Sequence, residues 1–484
     1  MSSSGGSAGG ASGGASGGKV VLSGESSATG VFGKVLRDAA GHFPEVFDAV
    51  RLPAQPGAFR KAYGRVLPEF EAARLGSAKR LEIAEHLVSA LEAHICWRDA
   101  AGERLLSEAL AEPAQPLSLS THQFDGAPGW QPSLVYRGER FDAGGLASLG
   151  ADLVSRGMAS AAVGSSLGWL AREGLEDGGL NLSGRKIVLL GAGAEMAPTR
   201  FWLEAGAEVL WLDVTSPPKD WQEISGMAGR LSWPEEEVDL LTEPQAVLAT
   251  IMAFAAGQPV DLGLYAYAPG QARELLLTAV MSAIVDAMPP ALLASVTLLV
   301  SPTTPTALVG DDLAMMAERR QNRPAWESAL AAIGAFGRGG GCAELGGGHA
   351  TRSVVAIQGG SYQAAQYLGK VLVAERWAAA DAFRVSANTA AITRTRSLNH
   401  PVFAAAFGGA AAFGVETFAP RLSRRLNGLL AVSDWLGAER PVPGRTRVHG
   451  GIHTLPYPLD PPLRVAAAIG FARSPRLLRG LLGR

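Results

Sequence analysis

Residues 186–216 read KIVLLGAGAEMAPTRFWLEAGAEVLWLDVTS, and the fold turns on this stretch. Ile187–Leu190 is a short apolar run between Lys186 and Gly191, long enough for a buried strand and too short for a helix. Gly191-Ala192-Gly193 follows as a tight turn. The pattern predicts a helix over 197–205, stopped by Gly206, and a second strand over 209–212 that ends in Asp213. Strand, glycine turn, helix, strand and acid, in that order, make the pattern of a dinucleotide-binding unit. Glycines let the backbone approach a pyrophosphate, and a helix N-terminus offers unpaired N–H groups. Asp213 lies about 20 residues past the turn, where a carboxylate accepts from an adenosine ribose. Met196 stands where the third glycine of the pattern belongs.

Working outward, the chain has 484 residues, 47% hydrophobic and 18% charged, enough for a sizeable core in two domains or one large decorated domain. The net charge of −2 gives no overall nucleic-acid footprint, so no nucleic-acid partner is expected. Two cysteines, Cys96 and Cys342, are too few for a disulfide framework or a cysteine-rich metal site, and no metal is expected. No uncharged apolar run reaches about 18 residues, and no basic head with an apolar block opens the chain. A cytoplasmic protein is the expectation, with organellar targeting left open. The charge is uneven. From Arg394 onward there are 13 Arg, no Lys and four acids, a balance of +9 that leaves −11 on the remainder. That basic end suits a membrane surface, an acidic partner or the acidic body of the chain itself.

The expected organisation is a Gly/Ser-rich tail over 1–27, a mostly helical domain over 28–150, a doubly wound, Rossmann-like parallel α/β domain over 151–398, and a basic helical extension over 399–484. Three segments, 31–39, 58–73 and 79–93, carry apolar residues at helical spacing. The C-terminal LRVAAAIGFARSPRLLRGLLGR alternates arginines with leucines in an amphipathic pattern that suits an interface helix.

Past Asp213, a strand-like run leads to Asp239. The Pro259-Val260-Asp261 turn then enters a run ending in Ala268-Pro269-Gly270, and 294–300 forms a strand ending at Ser301. This succession resembles the short-chain dehydrogenase/reductase superfamily over about residues 184–398. The resemblance implies that Gly191, Gly193, Asp213, Asp239, Ala268 and Gly270 approach an NAD cofactor, with NADP as the alternative. It implies that Thr395 closes over the nicotinamide and that Ser301 is the catalytic serine. The superfamily's tyrosine and lysine, usually four apart, are absent from the helix just after Ser301. They are matched about 60 residues later in SYQAAQYLGK, where Lys370 takes the lysine's place. Tyr362, eight before it, is preferred over Tyr367, three before it. Residues 302–351 are then an insertion, and its glycine-rich GRGGGCAELGGGHA suggests a lid or hairpin. Arg352–Gln358 is expected as a strand.

The resulting expectation is an NAD(P)-dependent oxidoreductase that reduces a carbonyl or activated C=C bond of a hydrophobic, acyl-type small molecule, and that forms oligomers. Lysine would lower the tyrosine pKa, and tyrosine would protonate the substrate. The competing expectation is a catalytically inactive Rossmann-fold scaffold or binding subunit. A third is a two-domain dehydrogenase with a cleft between residues 60–140 and the strand ends.

Overall fold

The computed structural model describes residues 17–223, 226–268, 270, 272–337, 339–395 and 400–477. Its centre is a seven-stranded sheet. The strands are β1 Leu119–Gln123, β2 Lys186–Leu190, β3 Glu208–Leu212, β4 Arg230–Pro234, β5 Val260–Leu264, β6 Leu293–Val300 and β7 Arg384–Thr389. They lie in the order β7-β6-β5-β2-β3-β4-β1, with only the edge pair β1–β4 antiparallel. Counted among the six parallel strands, this is order 3-2-1-4-5-6 read from β4 to β7. The chain reverses direction across the sheet between β2 and β5, and such a switch point opens a crevice at the carboxyl ends of the strands. The architecture is α/β and compatible with a Rossmann-like fold.

The central strands β2 and β3 read as continuous apolar runs because both faces of the sheet are covered. Val188 and Leu190 of β2 point into one core, and Ile187 and Leu189 into the other. On the first face lie α1 Ala28–His42, α2 Pro56–Gly76, α3 Arg80–Glu92 and the mostly apolar α6 Arg273–Ala287, which follows α4 Thr199–Glu204 and α5 Pro244–Ala255. The N-terminal helices thus share one apolar core with the sheet. On the second face, α8 Pro420–Leu436 packs beside α4. The first face also holds α7, packed on α1, α3 and α6 and made of Gly360–Gln366, a π-turn Tyr367–Leu372 and Val373–Ala380.

Two local expectations change. Lys19–Leu22, placed in the tail by composition, is a strand paired with Ile95–Asp99, because Val20 and Leu22 alternate into the core. Arg352–Gln358 is not a strand; it is extended chain leading to a 3₁₀ turn at Ala356–Gln358. Both edges of β6 are already taken, by β5 and β7, so no ladder is open to it. The insertion holds two helices, Gly310–Gln321 and Ala325–Ala332, and a hairpin, Cys342–Leu345 with Gly348–Thr351. The hairpin is wedged on α2, where a Cβ on Gly348 would lie 2.1 Å from the Ala72 carbonyl oxygen. Residues 1–16, Arg338 and Arg479 lie outside the described residues. No helix among the described residues is long and apolar enough to cross a membrane.

Candidate functional site

The glycine turn after β2 abuts the end of β5. Gly191 has φ +86°, and a Cβ on it would stand 2.3 Å from the Ala266 nitrogen, so only glycine permits the contact. Asp213 closes this turn from the end of β3. Its Oδ2 accepts the Gly193 N–H at 3.0 Å, and its Oδ1 accepts the Thr215 N–H at 3.0 Å and the Thr215 hydroxyl at 2.9 Å. A carboxylate offers about four acceptor positions, so one lone pair of Oδ2 remains for a ligand hydroxyl. The helix expected over 197–205 is shortened to α4, because Thr199 bonds back to the Ala192 carbonyl at 2.7 Å and Pro198 caps it. Arg424 of α8 donates to the Glu195 carbonyl at 2.8 Å, which ties the turn to the C-terminal arm.

Asp239 adjoins Asp213, since the Val238 N–H bonds the Asp213 carbonyl at 3.1 Å. The Asp239 carboxylate takes the Leu241 N–H at 2.9 Å and lies 3.7 Å from the Arg273 guanidinium. Ala268 is half-buried at the end of β5. Gly270, at φ +104°, faces open space where a Cβ would sit. Thr395 is half-buried, and its N–H bonds the Thr393 carbonyl at 2.9 Å. Beside the segment after Asp213 lies a cavity of about 260 Å³ lined by Phe124, Pro217, Lys219, Trp221 and Trp233.

Two strands away, β6 ends in a Ser301-Pro302-Thr303 turn. The Ser301 and Thr303 hydroxyls are 2.8 Å apart, beside the Tyr362 phenol. Thr303 also donates to Gln358 Oε1 at 2.7 Å. The Ser301 N–H donates to Gln366 Oε1 at 2.9 Å, and Gln363 Nε2 donates to the Thr303 carbonyl at 2.9 Å. The Tyr267 ring stands edge-on to Tyr362 at 6.5 Å, and its hydroxyl donates to the buried Glu274 at 3.2 Å. Burial pushes the Tyr362 phenol up; the Ser301 and Thr303 hydroxyls oppose that, and the Glu274 charge adds to it. Burial likewise raises the Glu274 carboxyl.

Eight residues of ideal helix turn Lys370 about 80° off the Tyr362 face. The π-turn takes up one residue, and both side chains then meet β6. They meet it at different points. Lys370 Nζ donates to the Leu299 carbonyl at 2.9 Å, and no described contact joins it to Tyr362. Burial pushes this ammonium down to about 8. Burial therefore raises the phenol, contrary to the lysine-activated tyrosine expected, while the ammonium is held on the Leu299 carbonyl. Tyr367 points away; its hydroxyl donates to Glu71 of α2 at 2.6 Å, beside Arg74. This leaves Tyr362 as the tyrosine of the site.

The structure thus brings Ser301 beside Tyr362, joins Asp213 with Gly193, and keeps Lys370 apart. It adds Thr303, Gln358, Gln366 and Glu274, of which only Gln366, one helical turn after Tyr362, carries a sequence signal. Among the described residues no group of three or more His, Cys, Asp or Glu is placed to hold a metal ion. No protein-family model matches the chain, and no curated protein matches it.

Proposed function

We propose that the chain is an NAD(P)-dependent oxidoreductase that reduces a carbonyl or activated C=C bond of a small hydrophobic substrate at the crevice between β2 and β5. The observation that carries the reading is the Tyr362 phenol beside Ser301 at the end of β6, two strands from β2 and its Gly191 turn. Hydride arriving on substrate from a nicotinamide leaves charge on oxygen, and a phenol within hydrogen-bond reach donates the compensating proton. Tyr362, kept protonated by burial, stands beside Ser301 and Thr303. Here Gln366 and Lys370 act on the backbone of β6 rather than on the phenol. Asp213 has one acceptor position for an adenosine ribose hydroxyl, and its charge favours NAD(H) over the 2′-phosphate of NADP(H). The cavity with Trp221 and Trp233 offers the flat aromatic walls an adenine stacks on.

A second reading, a binding or scaffold subunit that has lost the chemistry, is favoured by the Lys370–Leu299 bond, which draws the ammonium off Tyr362. Titration with NADH and NADPH, followed by nicotinamide fluorescence, separates the two. The oxidoreductase reading expects NADH to bind, with affinity about tenfold lower in Asp213→Asn. It expects Tyr362→Phe to bind NADH normally and to lose at least 10²-fold in reduction rate. Failure of both cofactors to bind the folded protein would sink it.

A further inference from the structure

The arginine-rich arm after β7 uses its charge in two ways. Some of it is turned inward. Arg447 is fully buried and donates to the Asp312 carboxylate and the Ala307 carbonyl. Arg424 and Arg425 donate to the Glu195 and Ser133 carbonyls at 2.8 and 2.7 Å. The rest stays outside, on the helix Asp460–Arg473 and just past it. The Arg464 side chain is 82% exposed, and its only acid is Asp460, one turn away at 3.3 Å. Such a surface pair is weak. Arg473 and Arg476 are exposed, and among the described residues neither has a carboxylate partner. Of the four acids after Arg394, only Asp460 lies on this helix.

The helix packs antiparallel to Pro401–Ala410 through small residues. A Cβ on Gly409 would stand 1.9 Å from the Ala466 carbonyl oxygen, and one on Gly470 would stand 1.8 Å from that of Ala405. The seam has no room for a larger side chain, and Phe403, Phe407 and Phe471 are left half-buried. At one end of the pair sits the insertion helix Ala325–Ala332. Its Trp326 ring stands edge-on to Phe413 at 5.4 Å. Its Leu330 packs on the small core of Phe336, Phe413 and Tyr457, beside Val465 and Ile469 of the C-terminal helix. Trp326 and Ile333 are seven residues apart, close to two helical turns, so they flank Leu330 on one face. They are 39% and 79% exposed.

Exposed tryptophan and isoleucine next to arginines without carboxylate partners are the two halves of an interfacial contact. Apolar side chains gain by entering the boundary between headgroups and acyl chains, and a tryptophan ring favours that depth. Guanidinium groups pair with phosphate in a planar fork, and a layer of anionic headgroups presents negative charge without demanding a matched shape. We propose that the insertion helix and the C-terminal helix pair form one surface that docks the protein on an anionic lipid bilayer. Trp326 and Ile333 enter the headgroup region, and Arg464, Arg473 and Arg476 lie on lipid phosphates. Each contact is weak alone, so docking is peripheral and reversible.

The test uses the full chain and needs no nicotinamide. Co-sedimentation is measured with vesicles of phosphatidylcholine alone and of phosphatidylcholine with about 30% phosphatidylserine. The protein binds the anionic vesicles at least tenfold more tightly, and added salt weakens binding. Arg464→Gln/Arg473→Gln/Arg476→Gln lowers affinity about 10²-fold, at about fivefold for each arginine. Trp326→Ser/Ile333→Ser lowers it about tenfold. The emission lost in Trp326→Phe is quenched by vesicles with brominated acyl chains. Circular dichroism and the denaturant midpoint report that each variant is folded. Should Trp326→Ser/Ile333→Ser not fold, Ile333→Ser alone is read. Equal binding to neutral and anionic vesicles overturns the inference, as does anionic binding that the arginine variant leaves unchanged. Binding to poly-glutamate through the same arginines, with neither vesicle bound, overturns it in favour of an acidic protein partner.

Discussion

On the β2–β4 side of the carboxyl edge, Asp213 bonds groups 20 and two residues away. On the β6–β7 side, Ser301 meets Gln366 across 65 residues and Pro302 meets His453 across 151. The first side closes on itself through a short stretch of chain. The second is assembled from the β6 turn, α7, the insertion and the C-terminal arm. It is also where buried polar atoms concentrate without a partner among the described residues: Thr304 and Thr306 Oγ1, Thr389 Oγ1, Arg447 Nε, His449 Nε2 and His453 Nδ1. Buried polar groups cost free energy unless paired, so a fold keeps such a layer where it positions something or holds water. On the proposed reading, the contrast is between a locally closed nucleotide turn and a reaction centre assembled from distant segments.

The largest expected effect tests whether the second side depends on the arm. Arg447→Met strands the Asp312 carboxylate in the interior and costs about 3–5 kcal/mol of unfolding free energy, read as a lower denaturant midpoint at unchanged slope. The double variant Arg447→Met/Asp312→Leu regains most of the loss, because no charge is left unpaired. If the single variant is as stable as the wild type, the arm is not anchored through this pair and the comparison loses its second term.

Next in size is Lys370. Burial lowers its ammonium to about 8 from 10.5. Between those values the folded side chain is neutral while the unfolded one still holds its proton, so the unfolded state binds more protons. Stability therefore rises with pH across that window, by on the order of 3 kcal/mol. Below it both states are protonated and the cost of the buried charge is present in full. Lys370→Met removes the slope and is the more stable protein at pH 7, as measured by denaturant unfolding between pH 7 and 10. A variant whose pH curve parallels the wild type's would show a solvated ammonium, free to turn towards Tyr362, and would favour the lysine-activated tyrosine after all.

The first side is probed at Gly191. Alanine there meets the Ala266 backbone at φ +86° and costs about 2 kcal/mol. NADH binding falls with it, since the turn must move off the end of β5. Unchanged affinity would separate the turn from the cofactor.

How much of this was legible follows the same division. The strands around Gly191, the switch from β3 to Asp213 and the end of β6 at Ser301 are read correctly because each is a contiguous apolar run closed by a turn residue. Tyr362 was preferable to Tyr367 on spacing, but the reason it faces Ser301 is a π-turn, which leaves no mark in hydrophobic periodicity. The same feature explains why Lys370 reaches Leu299 and not the phenol. His453, Arg447 and Gln358 were not legible. Each acts across a long loop, and a lone histidine or arginine in a sequence does not say which carbonyl it will meet. The strand expected at 352–358 failed for a topological reason, since apolar alternation cannot show that both edges of β6 are occupied.

The smallest expected effect joins the two sides. Arg424 lies in α8, in the same C-terminal arm as His453, yet its guanidinium holds the Glu195 carbonyl in the glycine turn. The bond is half-buried, and burial lowers the guanidinium from its usual value, so the charge is not fully repaid by this one acceptor. Arg424→Met keeps the stem's packing and removes the donor, at a cost of about 1 kcal/mol. If the arm builds only the reaction centre, NADH affinity stays within about twofold of the wild type, since a cap at Glu195 does not touch Asp213 or Gly193. A tenfold change in NADH affinity would mean that the arm shapes both sides, the glycine turn through Arg424 and the β6 turn through the bond of His453 to the Pro302 carbonyl. The two would then be coupled through one C-terminal segment rather than built apart.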